Sequence, residues 1–227
     1  MLKRLLSPLA ALILSGAMTL AAPLDGQETY DLLFRNGTLD EISRDTALIY
    51  ERRVTNRLKP EAAERDSGKV ALTIGEGESP LAHLQLRKGD KHRSMGQFPA
   101  SVGNPMIMFF YESVIRDMAE SAGGSAFYIR NRVKESLVEP NEVTLGEAML
   151  DGETIQTRTV TMHPFEGDPN RARMRGFGDL MLTVTMSEDV PGWYLNFVAE
   201  APAEDGAENG FVYRSEVTFD MLEEVEQ

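Results

Sequence analysis

The residue types that most often perform catalytic chemistry are few and widely spaced in this sequence. Its three histidines are His83, His92 and His163, and it contains no cysteine. The histidines do not show the H-x-H or HExxH spacing of zinc sites, and no G-x-S-x-G elbow supplies a serine nucleophile. We therefore predict no catalytic residue, no metal and no cofactor, and a protein that is not an enzyme. A hydrolase that pairs a serine with His92 or His163 is the least favoured alternative.

Residues 166–170 carry three oxygen-bearing side chains in five positions. They lack the regular spacing and the closing glutamate of a calcium-binding loop, so the segment is predicted to be a turn.

Basic residues form three short clusters in an otherwise acidic chain. The clusters comprise Arg87, Lys88, Lys91, His92 and Arg93; Arg130, Arg132 and Lys134; and Arg171, Arg173 and Arg175. Two clusters that converged would form a local anion site, because opposing guanidinium groups bind carboxylates and phosphates well. We predict that the second cluster, in which Arg130 and Lys134 share a helix face, is an anion-binding rim. The alternative is that neighbouring acidic residues neutralise each cluster.

The most apolar segment beyond the N-terminus begins with six bulky residues, at positions 106–111. Helical spacing places an apolar stripe along it, and methionine-rich apolar surface adapts to ligands of variable shape. We predict a helix over the mouth of a β-sheet cavity, with these ligand-lining residues: Ile107, Phe110, Tyr111, Val114 and Met118. The alternative is a helix that is buried on both sides and contacts no ligand.

This helix belongs to a predicted helical hairpin within a β-rich chain. Asn104 is a suitable N-cap and Pro105 suits the first helical position, while Gly123-Gly124 ends the helix. Ser125 can cap a second helix over residues 126–137, and Pro140 prevents its continuation. The helical insertion therefore covers about residues 104–138.

The segments on both sides of the insertion alternate between apolar and polar residues, as strands do. Predicted strands begin near residues 46, 70, 84 and 91 before the insertion, and near 143, 154, 180, 193 and 211 after it. Turns are predicted at residues 88–90 and at Asp151-Gly152. A short helix is predicted over residues 28–36, and residues 57–67 are predicted to be a loop or a short helix. Arg52 interrupts the apolar face of the first strand, which gives that strand a mixed inner face.

The N-terminal 22 residues have the three-part layout of a secretory signal peptide. Lys3 and Arg4 precede an uncharged apolar run, and small residues follow, so cleavage is expected after Ala17, Ala21 or Ala22. The alternative, an uncleaved anchor, would need about 20 uninterrupted apolar residues. We predict an exported protein in a bacterial periplasm. The lack of cysteine excludes a lipid-modified lipoprotein.

The composition favours one acidic domain over residues 23–227. The chain carries 36 acidic and 23 basic residues, a net charge of −13, and loss of Lys3 and Arg4 with the leader gives −15. Such a surface repels nucleic acids and anionic membranes. We predict no nucleic-acid partner, and no membrane span after signal cleavage.

The order of elements resembles that of the LolA/LolB-like periplasmic lipoprotein carriers. That order is a leader, a short amphipathic helix, several strands, a helical insertion and further strands, and residues 105–137 best match the lid. The resemblance implies a half-barrel sheet around an apolar cavity that helices close. It rests on no specific motif, so no functional residue of that family is transferred.

We therefore predict an α+β fold: a curved, half-barrel-like antiparallel β-sheet with a helical insertion packed on one face. The predicted function is to bind an apolar or amphipathic ligand such as a lipid or an acyl chain. The alternative is an envelope scaffold whose surface binds another protein. An apolar cavity of several hundred Å³ beneath residues 105–121 would favour the first function, and a filled core would favour the second.

Overall fold

One antiparallel sheet forms the framework of the molecule. The structure, a computed structural model, describes residues 19–20, 24–203 and 210–225. Within these residues the sheet has ten strands in the order β1-β6-β7-β8-β9-β10-β2-β3-β4-β5. The sheet is curved and does not close, so β1 and β5 are its edges. The predicted fold class, an α+β fold with a half-barrel-like sheet, is confirmed.

The described elements follow one another with short connections. The strands are β1 Thr19–Leu20, β2 Thr46–Asn56, β3 Gly68–Ile74, β4 Leu81–Lys88, β5 Lys91–Pro99, β6 Glu142–Leu150, β7 Glu153–Met162, β8 Met181–Met186, β9 Tyr194–Pro202 and β10 Phe211–Glu224. The helices are α1 Gly26–Leu33, α2 Pro60–Asp66, α3 Met106–Ala122 and α4 Ala126–Ser136. Along the chain, the helical hairpin of α3 and α4 thus follows strands β1 to β5 and precedes strands β6 to β10.

Tight turns join neighbouring strands where the sequence predicted them. Asp151 and Gly152 both have positive φ angles, 50° and 87°, as the commonest two-residue hairpin turn requires. Lys88 pairs with Lys91 at the end of the β4–β5 hairpin. These turns fix the registers of their hairpins.

Helix α1 begins and ends earlier than predicted. The side chain of Asp25 accepts a hydrogen bond from the Glu28 backbone N–H at 2.8 Å, and Glu28 accepts one from the Asp25 N–H at 3.2 Å. This reciprocal capping box starts the helix at Gly26. Leu33 is its last residue, so the prediction of residues 28–36 was shifted along the chain.

The helical hairpin is confirmed, with a small difference at its start. Pro105 occupies the N-cap position, and Asn104 Oδ1 accepts a hydrogen bond of 3.0 Å from the Met106 N–H. Gly123 and Gly124 have φ angles of 80° and 92° and separate α3 from α4. Such angles favour glycine because it has no Cβ. The two glycines therefore permit the sharp reversal between the helices.

The main core lies between α3 and the concave face of the sheet. Strand β2 buries Leu48, Tyr50 and Arg52 on that side, which confirms the mixed inner face. A second, smaller cluster lies on the other side of the same strands, with Ala47 and Ile49 at its centre. Because α3 covers the concave face, it is the element that decides whether that face is accessible.

Most of the predicted signal peptide lies outside the described residues, at 1–18 and 21–22. Its Thr19 and Leu20 form β1 and pair with Leu145 and Thr144 of β6. Residues 204–209, between β9 and β10, are also outside the description. None of the described helices combines the length and the hydropathy that a membrane span requires.

Candidate functional site

Helix α3 places its apolar stripe directly against the concave face of the sheet. The five residues predicted to line a ligand site are all buried there: Ile107, Phe110, Tyr111, Val114 and Met118. The Phe110 ring centroid lies 5.2 Å from that of Phe197 on β9, and the Tyr111 hydroxyl lies 4.0 Å from the Met162 sulfur on β7. The structure thus brings the predicted residues together at one interface.

Side chains occupy this interface in the described conformation. None of the five predicted lining residues lies on four surface grooves that the described residues form. One of these grooves, of about 640 Å³, instead includes Arg35, whose guanidinium group stacks 4.5 Å from the ring centroid of Trp193. Contact between a ligand and the apolar stripe would therefore require α3 to move. The lining role stays a prediction.

A buried ion pair joins α3 to the sheet. Arg52 Nη2 on β2 donates to Asp117 Oδ2 on α3 at 3.0 Å, and the side chains are 0% and 4% exposed. Asp117 Oδ2 also accepts a 2.9 Å hydrogen bond from the Tyr213 hydroxyl of β10. Arg116 donates to the other carboxylate oxygen at 3.1 Å. Asp117 is thus satisfied from several sides, while Arg52 depends on Asp117.

Buried hydrogen bonds also hold both ends of α3. At its start, Asn104 Nδ2 donates to the Tyr50 hydroxyl at 3.0 Å and to the Gly192 carbonyl at 2.8 Å. At its end, Asn56 Nδ2 donates to Ser121 Oγ at 2.7 Å. The helix is therefore positioned by polar contacts as well as by apolar packing.

Two fully buried side chains beside the ion pair have polar atoms that make no hydrogen bond of ordinary geometry within the described part of the chain. They are the Arg52 guanidinium, through its Nε and Nη1 atoms, and the Ser215 hydroxyl. Both side chains are fully buried. Buried polar groups are nearly always satisfied in native proteins, so each such group calls for a physical explanation.

The Arg52–Asp117 pair continues into a larger arginine–carboxylate network at the edge of α3. The network comprises Arg52, Arg65, Asp66, Arg93, Arg116, Asp117 and Glu120. Its central carboxylate, Asp66 of α2, is 1% exposed and lies within 3.3 Å of guanidinium groups from α2, β5 and α3. Burial would raise the pKa of Asp66, but hydrogen bonds from Arg65 and Arg93 outweigh burial and lower the pKa to about 2.

The predicted anion-binding rim lies on α4, and its arginines already have carboxylate partners. Arg130 binds Glu112 of α3 through two hydrogen bonds of 2.7 Å, and these hydrogen bonds lower the pKa of Glu112. Arg132 Nε lies 3.2 Å from an Asp168 carboxylate oxygen, while Lys134 is exposed. An external anion would compete with these internal carboxylates. The anion-binding role stays a prediction.

The other two basic clusters also contact acidic or carbonyl groups. In the first cluster, Arg87 pairs with Glu223 at 2.5 Å and Arg93 with Asp66 at 2.9 Å. In the third, Arg171 pairs with Asp179, and Arg175 Nη1 donates to a carbonyl oxygen of α3 at 2.9 Å. These contacts favour the alternative in which neighbouring groups neutralise each cluster.

The histidines lie on separate elements. His83 is on β4, His92 is on β5 and lies 3.2 Å from the Gln85 side-chain oxygen, and His163 follows β7. Of the segment 166–170 that was predicted to be a turn, residues 166–167 and 169–170 lie in turns, and Asp168 accepts hydrogen bonds from Tyr128 and Asn170. Among the residues that the structure describes, no three metal-ligating side chains lie close enough together to hold an ion.

The sequence analysis did not identify the polar centre of this site. Asp117 lies three residues after Val114, on the apolar side of α3, where a carboxylate needs a partner. Arg52 interrupts the apolar face of β2 in the same way. The sequence therefore contained a signal, because Arg52 and Asp117 are residues of opposite charge at otherwise apolar positions. Only the fold shows that their side chains meet.

Comparisons with known proteins give no family for this chain. No protein family matches it, and no curated protein is similar to it in sequence. The crystal structure of the lipoprotein LppX from Mycobacterium tuberculosis is similar, with 11% identity over 88% of this chain and 98% of that chain. The TM-score is 0.34. We infer nothing about function from a likeness at this level.

Proposed function

We propose that the protein is an exported, non-enzymatic protein of the bacterial envelope that binds an apolar or amphipathic ligand, such as a lipid or an acyl chain. The ligand would bind between α3 and the concave face of the sheet, in contact with the stripe predicted from the sequence. The observation that carries the proposal is this interface, where a single helix covers a broad apolar surface inside a curved sheet.

The connections of α3 are compatible with movement of the helix. Gly103 precedes it with a φ angle of 96°, and Gly123 and Gly124 follow it. A hinge needs only a few residues that absorb a change in backbone angles. Helix α3 could therefore leave the concave face without unfolding the strands that it covers.

An acyl chain could supply enough free energy to displace the helix. Burial of each CH₂ group contributes about 0.8 kcal/mol, so a chain of about ten such groups gains roughly 8 kcal/mol. That value is of the same order as the whole free energy of unfolding of a small domain, about 5–15 kcal/mol. Replacement of the α3 contacts by ligand contacts is energetically feasible.

Co-purification and photolabelling test the proposal. The chain without its predicted leader, residues 23–227, is purified and extracted into organic solvent, and the extract is analysed for lipid by mass spectrometry. A photoreactive fatty acid should label the α3 peptide in preference to the exposed Phe127 on α4. Absence of co-purified lipid, together with no binding of a fluorescent fatty-acid probe, would show the proposal to be wrong.

The filled interface favours a second candidate, an envelope scaffold that binds another protein through its surface. Charge reversal at Arg171, Arg173 and Arg175 should then abolish capture of the partner while the circular dichroism spectrum stays unchanged. An identical set of captured proteins before and after charge reversal would remove this candidate.

A further inference from the structure

We infer that the ligand of the site beneath α3 is an anionic amphiphile whose carboxylate or phosphate group replaces Asp117 as the partner of Arg52. This inference rests on the proposed function and names the chemical class of its ligand. The acyl part would contact the apolar face of the sheet, and the anionic group would reach the buried guanidinium.

The two described short-range contacts of the Arg52 guanidinium come from α3, while Asp66 of α2 interacts with it electrostatically from farther away. One is the 3.0 Å ion pair with Asp117, and the other is the Phe109 ring, whose centroid lies 5.5 Å from the guanidinium carbon. Displacement of α3 therefore leaves Arg52 without either. A buried charge without a partner costs several kcal/mol, so a ligand that brings its own anion is favoured over a neutral one of the same length.

Arg52 already has hydrogen-bond donors to offer. Its Nε and Nη1 atoms have no acceptor in the described structure, although the side chain is 0% exposed. A guanidinium group presents its donors as a planar fork that matches two oxygens of a carboxylate or a phosphate. Asp117 thus accepts a hydrogen bond from only one of the three nitrogens of the Arg52 guanidinium.

Ser215 adds a second unpaired group on the same face. Arg52 lies opposite Val217 in the β2–β10 ladder, and Ser215 precedes Val217 by two residues. Side chains two apart on a strand share a face, so Arg52 and Ser215 are diagonal neighbours. The Ser215 hydroxyl is fully buried beside Tyr213, with which it interacts, but it makes no hydrogen bond of ordinary geometry within the described residues, so it can donate to the same anion.

The charge around the site also favours an anion once α3 has moved. The arginine–carboxylate network loses Arg116, Asp117 and Glu120 with the helix, which together carry a net charge of −1. Three arginines and one aspartate of the network stay on the sheet and α2, with a net charge of +2. This local excess contrasts with the net charge of −13 of the whole chain and would attract an anionic head group.

The test compares ligands that differ only in their head groups. Dodecanoate, dodecyl phosphate and dodecanol are titrated below their aggregation limits into the chain of residues 23–227, with displacement of a fluorescent fatty-acid probe as the signal. We expect at least one anionic ligand to bind about tenfold more tightly than dodecanol, which corresponds to about 1.4 kcal/mol. The tighter of the two anions distinguishes a fatty-acid carboxylate from a phospholipid phosphate as the source.

Variants at the site should act in opposite directions. Arg52→Lys keeps the charge that Asp117 needs but loses the forked donors, so the preference for the anion should fall to less than threefold. Asp117→Asn removes the internal competitor, so anion affinity should rise. Arg214→Lys is the matched control, because Arg214 is a paired arginine on β10 that lies outside the network and the predicted rim, and it should change nothing. If Arg52→Lys does not fold, Ser215→Ala serves in its place and should weaken anion binding about twofold or more.

The outcomes separate this inference from the proposed function. Equal affinity for the three ligands, or an unchanged preference in the Arg52 or Ser215 variant, would overturn the anionic head group while ligand binding stands. Failure of all three ligands and of the probe to bind would overturn the proposed function, and this inference with it.

Discussion

Arg52 of β2 and Asp117 of α3 form an ion pair between the sheet and the helix that covers it, with 3.0 Å between Nη2 and Oδ2 and both side chains buried. The rest of the α3 interface is largely apolar and would tolerate small shifts of the helix. An ion pair between two buried charges does not tolerate such shifts, because each charge loses a partner of opposite sign when the two separate. The pair therefore fixes the middle of α3, as the buried hydrogen bonds of Asn104 and Asn56 fix its two ends.

A double-mutant cycle measures this coupling. We expect Asp117→Leu to lower the free energy of unfolding by about 3–5 kcal/mol, because it leaves the buried Arg52 without its ion-pair partner. Arg52→Met should cost less, because Arg116 and Tyr213 still contact Asp117. The double variant should lose less than the sum, since neither charge remains. Urea unfolding followed by the fluorescence of Trp193, the single tryptophan, gives the values.

The exposed pair between Arg130 and Glu112 provides the control for that cycle. Both side chains are about one-third to one-half exposed, so Arg130→Met should cost no more than about 1 kcal/mol. Strictly additive effects at Arg52 and Asp117 would contradict the structural role assigned to the buried pair.

The Asp66 carboxylate should make stability depend on pH in the acid range. Although burial acts in the opposite direction, hydrogen bonds from Arg65 and Arg93 lower its pKa in the folded chain from the ordinary 3.8 to about 2. A lowered pKa stabilises the fold above the unfolded-state pKa, and that contribution is lost as the pH falls towards 2. The full contribution is about 2 kcal/mol, and about half should be lost by pH 3.

Asp66→Asn isolates this group from the other carboxylates. The difference in free energy of unfolding between the wild type and the variant should shrink by about half from pH 6 to pH 3. A difference that is constant over this range would mean that the folded chain does not lower the pKa of Asp66.

Gly192 should be far less tolerant of substitution than Gly123, although both have positive φ angles, 76° and 80°. A Cβ at position 192 would lie 2.9 Å from Asn104 Nδ2 and 3.0 Å from a Leu48 methyl group, whereas one at position 123 meets nothing within 4 Å. Gly123→Ala should cost about 1 kcal/mol from backbone strain alone. Gly192→Ala should cost at least about 2 kcal/mol, because it also displaces the Asn104 side chain at the start of α3.

Equal losses of thermal stability in the two glycine variants would argue against the close packing of Asn104 on the 187–193 turn. Circular dichroism at 222 nm during heating is sufficient for this comparison.

The alternation of apolar residues and the turn residues were sufficient to predict most of the sheet. Strands β2 to β10 lie where the sequence predicted strands, and Asp151-Gly152 forms the predicted turn because few other dipeptides adopt two positive φ angles easily. The helical hairpin was also predictable, since its capping residues and the glycine pair agree with its apolar period. The start of α1 was not predicted correctly, because the capping box at Asp25 begins the helix before the first residue of the apolar pattern.

The site was less predictable than the fold because it depends on contacts between distant parts of the chain. The apolar stripe of α3 follows from local spacing, but its partners on β7 and β9 follow only from the sheet order. Arg52 and Asp117 are 65 residues apart, and no local pattern connects them. The basic clusters looked prominent in the sequence because their carboxylate partners, such as Glu112 for Arg130, come from other elements.

The most direct measurement of the central claim is the distance between α3 and the sheet with and without ligand. The chain has no cysteine, so spin labels can be attached at Met108→Cys on the exposed side of α3 and at Arg53→Cys, an exposed position on β2. Pulsed electron–electron double resonance then gives the distance between the labels. We predict one distance without ligand and a second, longer one whose population grows as dodecanoate is added. A single distance that does not change at saturating ligand would contradict the account.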